Sequence, residues 1–83
     1  SESKLDWKQQ KEQQARLRKK QNELKRVEAQ IEELETRDKE IDILLASEEV
    51  FTDVAKVTEL SREKENLQTT LEELYESWEL LSE

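Results

Sequence analysis

The sequence predicts an all-α protein, a two-helix antiparallel coiled-coil hairpin with a short helical turn at its tip. The 83 residues include no Gly and no Pro, so helix-forming residues run on without a breaker over long stretches. Apolar residues recur at alternating spacings of three and four, the heptad repeat of helices that pack along a seam. The repeat is interrupted once and resumes out of phase, so two helices are expected instead of one.

The composition supports extended helices over a compact globule. Charged residues make up 43% of the chain and apolar residues 33%. So polar a chain of this length buries too little surface to hold a compact core. Such compositions belong to long helices or to disordered chains, and the regular heptads favour helices.

The first heptad repeat predicts helix 1 at about 7–46, within a hairpin that spans 6–83. Residues 1–5 are interpreted as the end of a linker. The seam has a positions at 17, 24, 31, 38 and 45 and d positions at 20, 27, 34 and 41. Residues before about 16 have no expected partner on helix 2.

A connector at 47–53 separates the two repeats. Ser47 is expected to cap a single helical turn, and Thr52 or Asp53 to cap helix 2, which runs over about 53–82. The second seam has a positions at 50, 57, 64, 71 and 78 and d positions at 60, 67, 74 and 81. Because the connector is short, the helices should be antiparallel. An apolar plug is expected at the tip, formed by Ile43, Leu44, Val50, Phe51 and Val54.

Folding the chain back near residue 49 predicts specific partners across the seam. Leu17 should meet Leu81 at the open end. Asp38 and Lys64 are polar seam positions on opposite helices, and we expect them to pair and to help fix the register. Trp78 is expected to be a core residue.

The missing residue types exclude most chemistry. Without His or Cys there is no zinc site, thiol nucleophile or His base, and without Gly there is no phosphate-binding loop. No catalytic residue and no metal ligand is therefore expected. The longest apolar run is 43–46, far too short for a membrane span, and no signal peptide is evident. We expect a soluble, cytoplasmic, non-enzymatic protein that works by binding.

Charge is distributed unevenly along the chain. Residues 1–26 carry nine basic and four acidic side chains, a net charge of +5, whereas 27–83 carry five basic and eighteen acidic, a net charge of −13. A basic stripe on a helix is the arrangement that polynucleotide phosphates require, although it is also compatible with an ordinary solvated surface. The candidate nucleic-acid-binding residues are Lys8, Lys11, Arg16, Arg18, Lys19 and Lys20. Trp7 is compatible with stacking on a base, with capping the open end or with anchoring a preceding domain.

Three segments resemble a known family. The first comprises the opening Leu5-Asp6-Trp7-Lys8 and the basic stretch Arg16-Leu17-Arg18-Lys19-Lys20. The second comprises the connector 47–53 and the following Lys56-Val57-Thr58-Glu59-Leu60. The third is the ending Leu71-Glu72-Glu73-Leu74-Tyr75-Glu76-Ser77-Trp78-Glu79. Together they resemble the C-terminal coiled-coil domain of ABC-F proteins, the ribosome-associated tandem-cassette ATPases, particularly the Gram-positive members. The family often has Asp-Pro in the connector, where this chain has Ser47-Glu48.

The resemblance implies an accessory domain whose ATP-binding cassettes lie upstream in a parent ATPase. It implies a non-catalytic role in contacting nucleic acid, either ribosomal RNA on the ribosome or DNA, with no cofactor in the domain itself. The competing hypothesis is a structural or protein-interaction hairpin that docks on its own cassettes or on a protein partner. A homodimeric four-helix bundle would need a second apolar stripe, which the sequence scarcely provides, so a monomeric hairpin is expected. The type of nucleic acid stays open.

Overall fold

The structure, a computed structural model, describes residues 2–83 and contains three helices. They are α1 (Glu2–Leu45), α2 (Glu48–Phe51) and α3 (Val54–Leu81). No strand occurs among these residues, and the shape is a rod with extents of 75 × 16 × 15 Å. The predicted all-α helical hairpin is confirmed.

Cross-helix contacts show that α1 and α3 run antiparallel. Arg37 pairs with Glu63 near the tip, and Lys20 reaches the main-chain oxygen of Glu83 at the open end. Residue numbers therefore fall along α3 as they rise along α1. At about 1.5 Å per residue, the 44 residues of α1 extend well past the 28 residues of α3.

The seam follows the predicted heptads over most of its length. Every a and d position from Lys20 to Leu45 in the first repeat, and from Val50 to Leu74 in the second, is buried or partly buried. The four most buried apolar residues are Val27, Ile41, Val50 and Leu71. Each contributes roughly 1.5–3 kcal/mol through the apolar surface it removes from water, so the hairpin is stabilised by a thin line of contacts.

The turn at the tip is capped by one of the predicted residues. Asp53 is the N-cap of α3, and its carboxylate accepts a hydrogen bond from the Lys56 backbone N–H at 3.2 Å. Ser47 occupies the N-cap position of α2 but makes no side-chain cap bond there. Its hydroxyl donates instead to the Leu44 carbonyl at 2.8 Å, which closes the end of α1.

The predicted apolar plug at the tip is wrong. Only Val50 is buried, whereas Ile43, Phe51 and Val54 have exposed fractions of 72%, 55% and 82%. Leu44 is also exposed. A single four-residue turn is too short to cover more than one apolar side chain, so the others face solvent.

The open end also differs from the prediction. The helix α1 begins at Glu2 and so includes residues 2–5, which are interpreted from the sequence as the end of a linker; Ser1 lies outside the described residues. Leu17 is 55% exposed and does not close the seam with Leu81, and Trp78 is 39% exposed and is not a core residue. Two helices cover a seam residue from one side only, so the large Trp78 side chain near the end of α3 keeps part of its surface in water. Leu17 lies on α1 near the level where α3 ends, so little of α3 is left to cover it.

Candidate nucleic-acid interface

The first part of α1 forms an arm, defined here as residues 2–19, in which every residue is exposed. The arm is about 27 Å long at 1.5 Å per residue. It carries six basic and three acidic side chains, whereas the rest of the chain is strongly acidic. The basic arm therefore consists of residues that the rest of the described chain leaves exposed.

The six predicted binding residues are not equally available. Lys8, Lys11, Arg16, Arg18 and Lys19 are fully exposed on the arm. Lys20 is partly buried at the start of the seam, and its ammonium donates a 2.6 Å hydrogen bond to the main-chain oxygen of Glu83. Lys20 thus connects the two helices at the open end, while the other five residues are exposed.

The helix does not gather these charges into one compact patch. Lys11 and Arg18 border one shallow surface over Ala15, and Arg18 continues with Lys19 and Arg26 along the next. Arg16 borders a separate surface with Gln9 and Gln13. Lys11, Arg18, Lys19 and Arg26 thus form a basic stripe along two adjoining surfaces, whereas Arg16 borders another surface.

Arg26 was not among the predicted residues, and its charge is largely compensated. Its guanidinium pairs with the Glu23 carboxylate one turn earlier and also donates to the Gln30 side chain at 3.1 Å. The Arg26 hydrogen bond lowers the pKa of Glu23, and Glu23 in turn raises the pKa of Arg26. The basic stripe thus weakens where α1 enters the hairpin.

Trp7 lies beside a basic residue of the arm and not at the open end. The Lys11 ammonium lies 4.4 Å from the centroid of the Trp7 ring, a cation–π contact within the arm. The indole is 61% exposed. It does not cap the hairpin, because it lies thirteen positions before Lys20, where the seam begins.

Charged side chains inside the hairpin pair with one another across the seam. Arg37 holds Glu63 through two hydrogen bonds of 2.5 and 2.9 Å, the bidentate geometry in which a guanidinium fits a carboxylate best. This contact lowers the pKa of Glu63.

Lys64 forms a second cross-seam site, with Asp42 at 2.8 Å and Asp38 at 2.9 Å. Both carboxylates raise the pKa of Lys64, and the hydrogen bond to Asp42 has the larger effect. The predicted pairing of Asp38 with Lys64 is confirmed.

A second surface, on the acidic half of the hairpin, was missed by sequence reasoning. A groove of about 330 Å³ runs between α1 and α3, lined by Glu28, Ile31, Glu32, Glu35, Tyr75 and Trp78. The Tyr75 hydroxyl donates to the Glu35 carboxylate, which raises the pKa of Tyr75. The Tyr-x-x-Trp spacing on α3 and the i, i+4, i+7 spacing of the three glutamates were the available signals, since each places its residues on one helix face.

The described residues contain no group of three or more side chains that could hold a metal ion. None of their helices combines the length and the apolar character needed to cross a membrane.

A family model for the ABC transporter C-terminal domain matches residues 4–83. The chain belongs to this family. None of the curated proteins and none of the solved structures matches it. An ABC transporter C-terminal domain is an accessory, non-catalytic part of an ABC-type ATPase, which agrees with an all-helical rod that offers surfaces for binding.

Proposed function

We propose that this ABC transporter C-terminal domain belongs to an ABC-F-type ATPase and contacts nucleic acid, either on the ribosome or as DNA, through its arm. The observation that carries the proposal is the coincidence of charge and exposure. The arm has a net charge of +3 in a chain whose net charge is −8, and every residue of the arm is exposed.

Physical chemistry gives this coincidence a function. The arm has no buried residue, and most helical stability in proteins comes from tertiary packing, so a partner that covers the arm would stabilise it. Phosphates supply the matching charge, and each neutralised phosphate releases counterions. The hairpin, with its excess of acidic residues, repels polynucleotides. The polymer would therefore lie along the arm and away from the tip.

The arm's residues have distinct parts in this contact. Lys11, Arg18 and Lys19 form the exposed stripe that would follow a phosphate backbone. Lys8 lies one turn before Lys11, Arg16 borders another surface, and Lys20 connects the two helices at the open end. Trp7, already oriented by Lys11, offers an exposed ring for an unpaired base.

The test is a titration of labelled duplex DNA, structured RNA and purified ribosomes with the chain, at low and at near-physiological salt. We expect binding that weakens steeply with salt, because a contact with several phosphates loses affinity as salt rises. Changing Lys11, Arg18 and Lys19 to Glu should abolish binding. The matched control changes three exposed basic residues of the hairpin, Lys39, Lys56 and Arg62, to Glu, with the same change in net charge.

Comparing the arm variant with the hairpin control variant shows whether binding depends on the arm or on net charge. Loss of binding in the arm variant alone supports the arm as the interface. Equal loss in both variants would show that net charge, and not the arm, governs binding. Absence of binding to all three polymers at low salt would contradict the proposal.

A protein-docking hairpin is the second candidate function, and the exposed tip favours it. Ile43, Phe51 and Val54 expose apolar surface together at the turn. The upstream ATPase cassettes or another protein would be the partner. Binding to ribosomes or cassettes that survives the arm variant and fails when Phe51 and Val54 are changed to Ser would select this function.

A further inference from the structure

The groove between α1 and α3 exposes aromatic surface that the hairpin does not use. Trp78 and Tyr75 line it with exposed fractions of 39% and 43%, and Ile31 also lines it. In a chain with few aromatic residues, two adjacent half-exposed rings form a patch that a ligand can cover.

The edge of the groove is formed by carboxylates without a cation. Glu28, Glu32 and Glu35 lie one turn apart on α1, and none of them forms an ion pair among residues 2–83. Other glutamates near the seam, such as Glu23 and Glu63, each form an ion pair with an arginine. Like charges at i, i+4 spacing destabilise a helix, so a cation bound here would relieve that repulsion.

One hydrogen bond fixes the groove across the two helices. The Tyr75 hydroxyl of α3 donates to the Glu35 carboxylate of α1. The ring and the carboxylate therefore hold each other in place, so part of the surface is already ordered before a ligand arrives.

We propose that this groove binds an arginine side chain of a basic peptide segment on a partner protein. The guanidinium stacks on the exposed Trp78 ring, and the glutamates of α1 accept its N–H groups. Arginine fits better than lysine because its planar, weakly hydrated group stacks on aromatic rings and meets carboxylates through two hydrogen bonds. The groove volume of about 330 Å³ accommodates the side chain with part of its backbone.

The negative charge of the groove favours a cationic partner over nucleic acid. Phosphates are repelled by three unpaired carboxylates, so nucleic acid is excluded from this surface. A second copy of the chain is the main competitor, because its arm carries Arg16 and Arg18. The proposal does not depend on nucleic-acid binding by the arm, since the two surfaces share no residue.

The experiment follows Trp78 fluorescence in a Trp7→Phe background, where Trp78 is the remaining tryptophan. The probes are capped synthetic peptides of about ten residues that alternate serine with arginine, lysine or glutamate. The arginine peptide should give a saturable change in fluorescence. The lysine peptide should bind at least about threefold more weakly, because an ammonium stacks less well on the ring. The glutamate peptide should not bind.

A matched pair of variants separates a site from general attraction. Changing Glu28, Glu32 and Glu35 to Gln should weaken arginine-peptide binding at least tenfold while far-UV circular dichroism stays unchanged. The control changes Glu72, Glu76 and Glu79 to Gln, which removes three exposed glutamates at the same i, i+4, i+7 spacing on α3. The control should bind nearly as well as the parent.

Three results would overturn the proposal. Equal losses in the two triple variants would mean diffuse attraction to an acidic rod. Equal affinity for the arginine and lysine peptides would remove the role of the Trp78 ring. Self-association of the chain that disappears in the Glu28, Glu32 and Glu35 variant, seen by sedimentation velocity, would assign the groove to a second copy.

Discussion

Lys64 on α3 donates a 2.9 Å hydrogen bond to Asp38 on α1, so these two oppositely charged seam residues compensate each other across the hairpin. Asp42, one turn further along α1, lies 2.8 Å from the same ammonium. The Lys64 ammonium thus pairs with two carboxylates at i, i+4 spacing on α1. This arrangement favours a single register, because sliding α3 by one turn would separate Lys64 from at least one of them.

The shared cation predicts unequal effects of the two single substitutions. Lys64→Met leaves Asp38 and Asp42 unneutralised and mutually repulsive, whereas Asp38→Asn leaves Lys64 its contact with Asp42. We therefore expect the melting temperature to fall by several degrees in Lys64→Met and by less than half as much in Asp38→Asn, measured by circular dichroism at low salt. An equal loss in both variants would contradict the shared arrangement.

The Arg37–Glu63 pair predicts a specific pH dependence. The pKa of Glu63 in the folded chain is lowered from its ordinary value of 4.5, chiefly by the Arg37 hydrogen bond. A lowered pKa gives stability that is complete above the unfolded value and is lost as the pH falls through the folded value. Wild type should exceed Glu63→Gln in stability at pH 7, and the difference should narrow toward pH 3 as the pH falls below the ordinary value of 4.5.

Urea denaturation at the two pH values measures this difference. Glu65→Gln is the control, since Glu65 is exposed and forms no ion pair within residues 2–83. Its difference from wild type should change little with pH. A gap between wild type and Glu63→Gln that persisted unchanged at pH 3 would mean that packing, not charge, explains the contribution of Glu63.

The line of buried residues predicts a sharp contrast between two isoleucines near the tip. Ile41 is fully buried and Ile43 is 72% exposed, although only two positions separate them. Replacing Ile41 with Val removes one buried methyl group and should cost about 0.5–1.5 kcal/mol. Ile43→Val has the same effect on helix propensity and should change the free energy of unfolding by less than about 0.5 kcal/mol. Urea denaturation of both variants checks the register of the seam.

Periodicity predicted much of the fold from the sequence alone. A 3-4 repeat determines which side chains share a face, so the positions of Val27, Ile41 and Leu71 in the seam were predictable. The interruption of phase near residue 49 predicted the turn. Pairing of Asp38 with Lys64 followed from folding the two repeats onto each other.

The extent to which each apolar residue is buried could not be predicted from the heptad repeat. A heptad assignment places Trp78 on the inner face, but two helices cannot enclose an indole, and 39% of the residue stays exposed. Phe51 and Val54 are apolar, yet the turn around them is too small to cover both. The aromatic groove was missed because it depends on three glutamates and two rings that meet only in the folded hairpin.

Capping at the tip yields a prediction that distinguishes two similar-looking residues. Asp53 accepts a backbone hydrogen bond at the start of α3, whereas the Ser47 hydroxyl donates to the preceding carbonyl. Asp53→Ala should cost about 0.5–2 kcal/mol, the usual loss of an N-cap. Ser47→Ala should cost less, because the Leu44 carbonyl that loses the Ser47 hydroxyl still accepts a 3.0 Å hydrogen bond from the Ser47 backbone N–H. Chemical denaturation of the two variants measures the difference, and a larger loss for Ser47→Ala would contradict these roles.

The arm should be the least protected helical segment of the chain. From Glu2 to Lys19 no residue is buried, so its helix is held by local hydrogen bonds alone. Such a helix opens without unfolding the hairpin. We expect amide hydrogen exchange between residues 5 and 16 to be slowed only about tenfold relative to an unfolded chain. Amides near Val27 and Ile41 should exchange only by global unfolding. Slow exchange throughout the arm in the isolated chain would mean that another copy covers it, and a dependence of that protection on protein concentration would establish the cause.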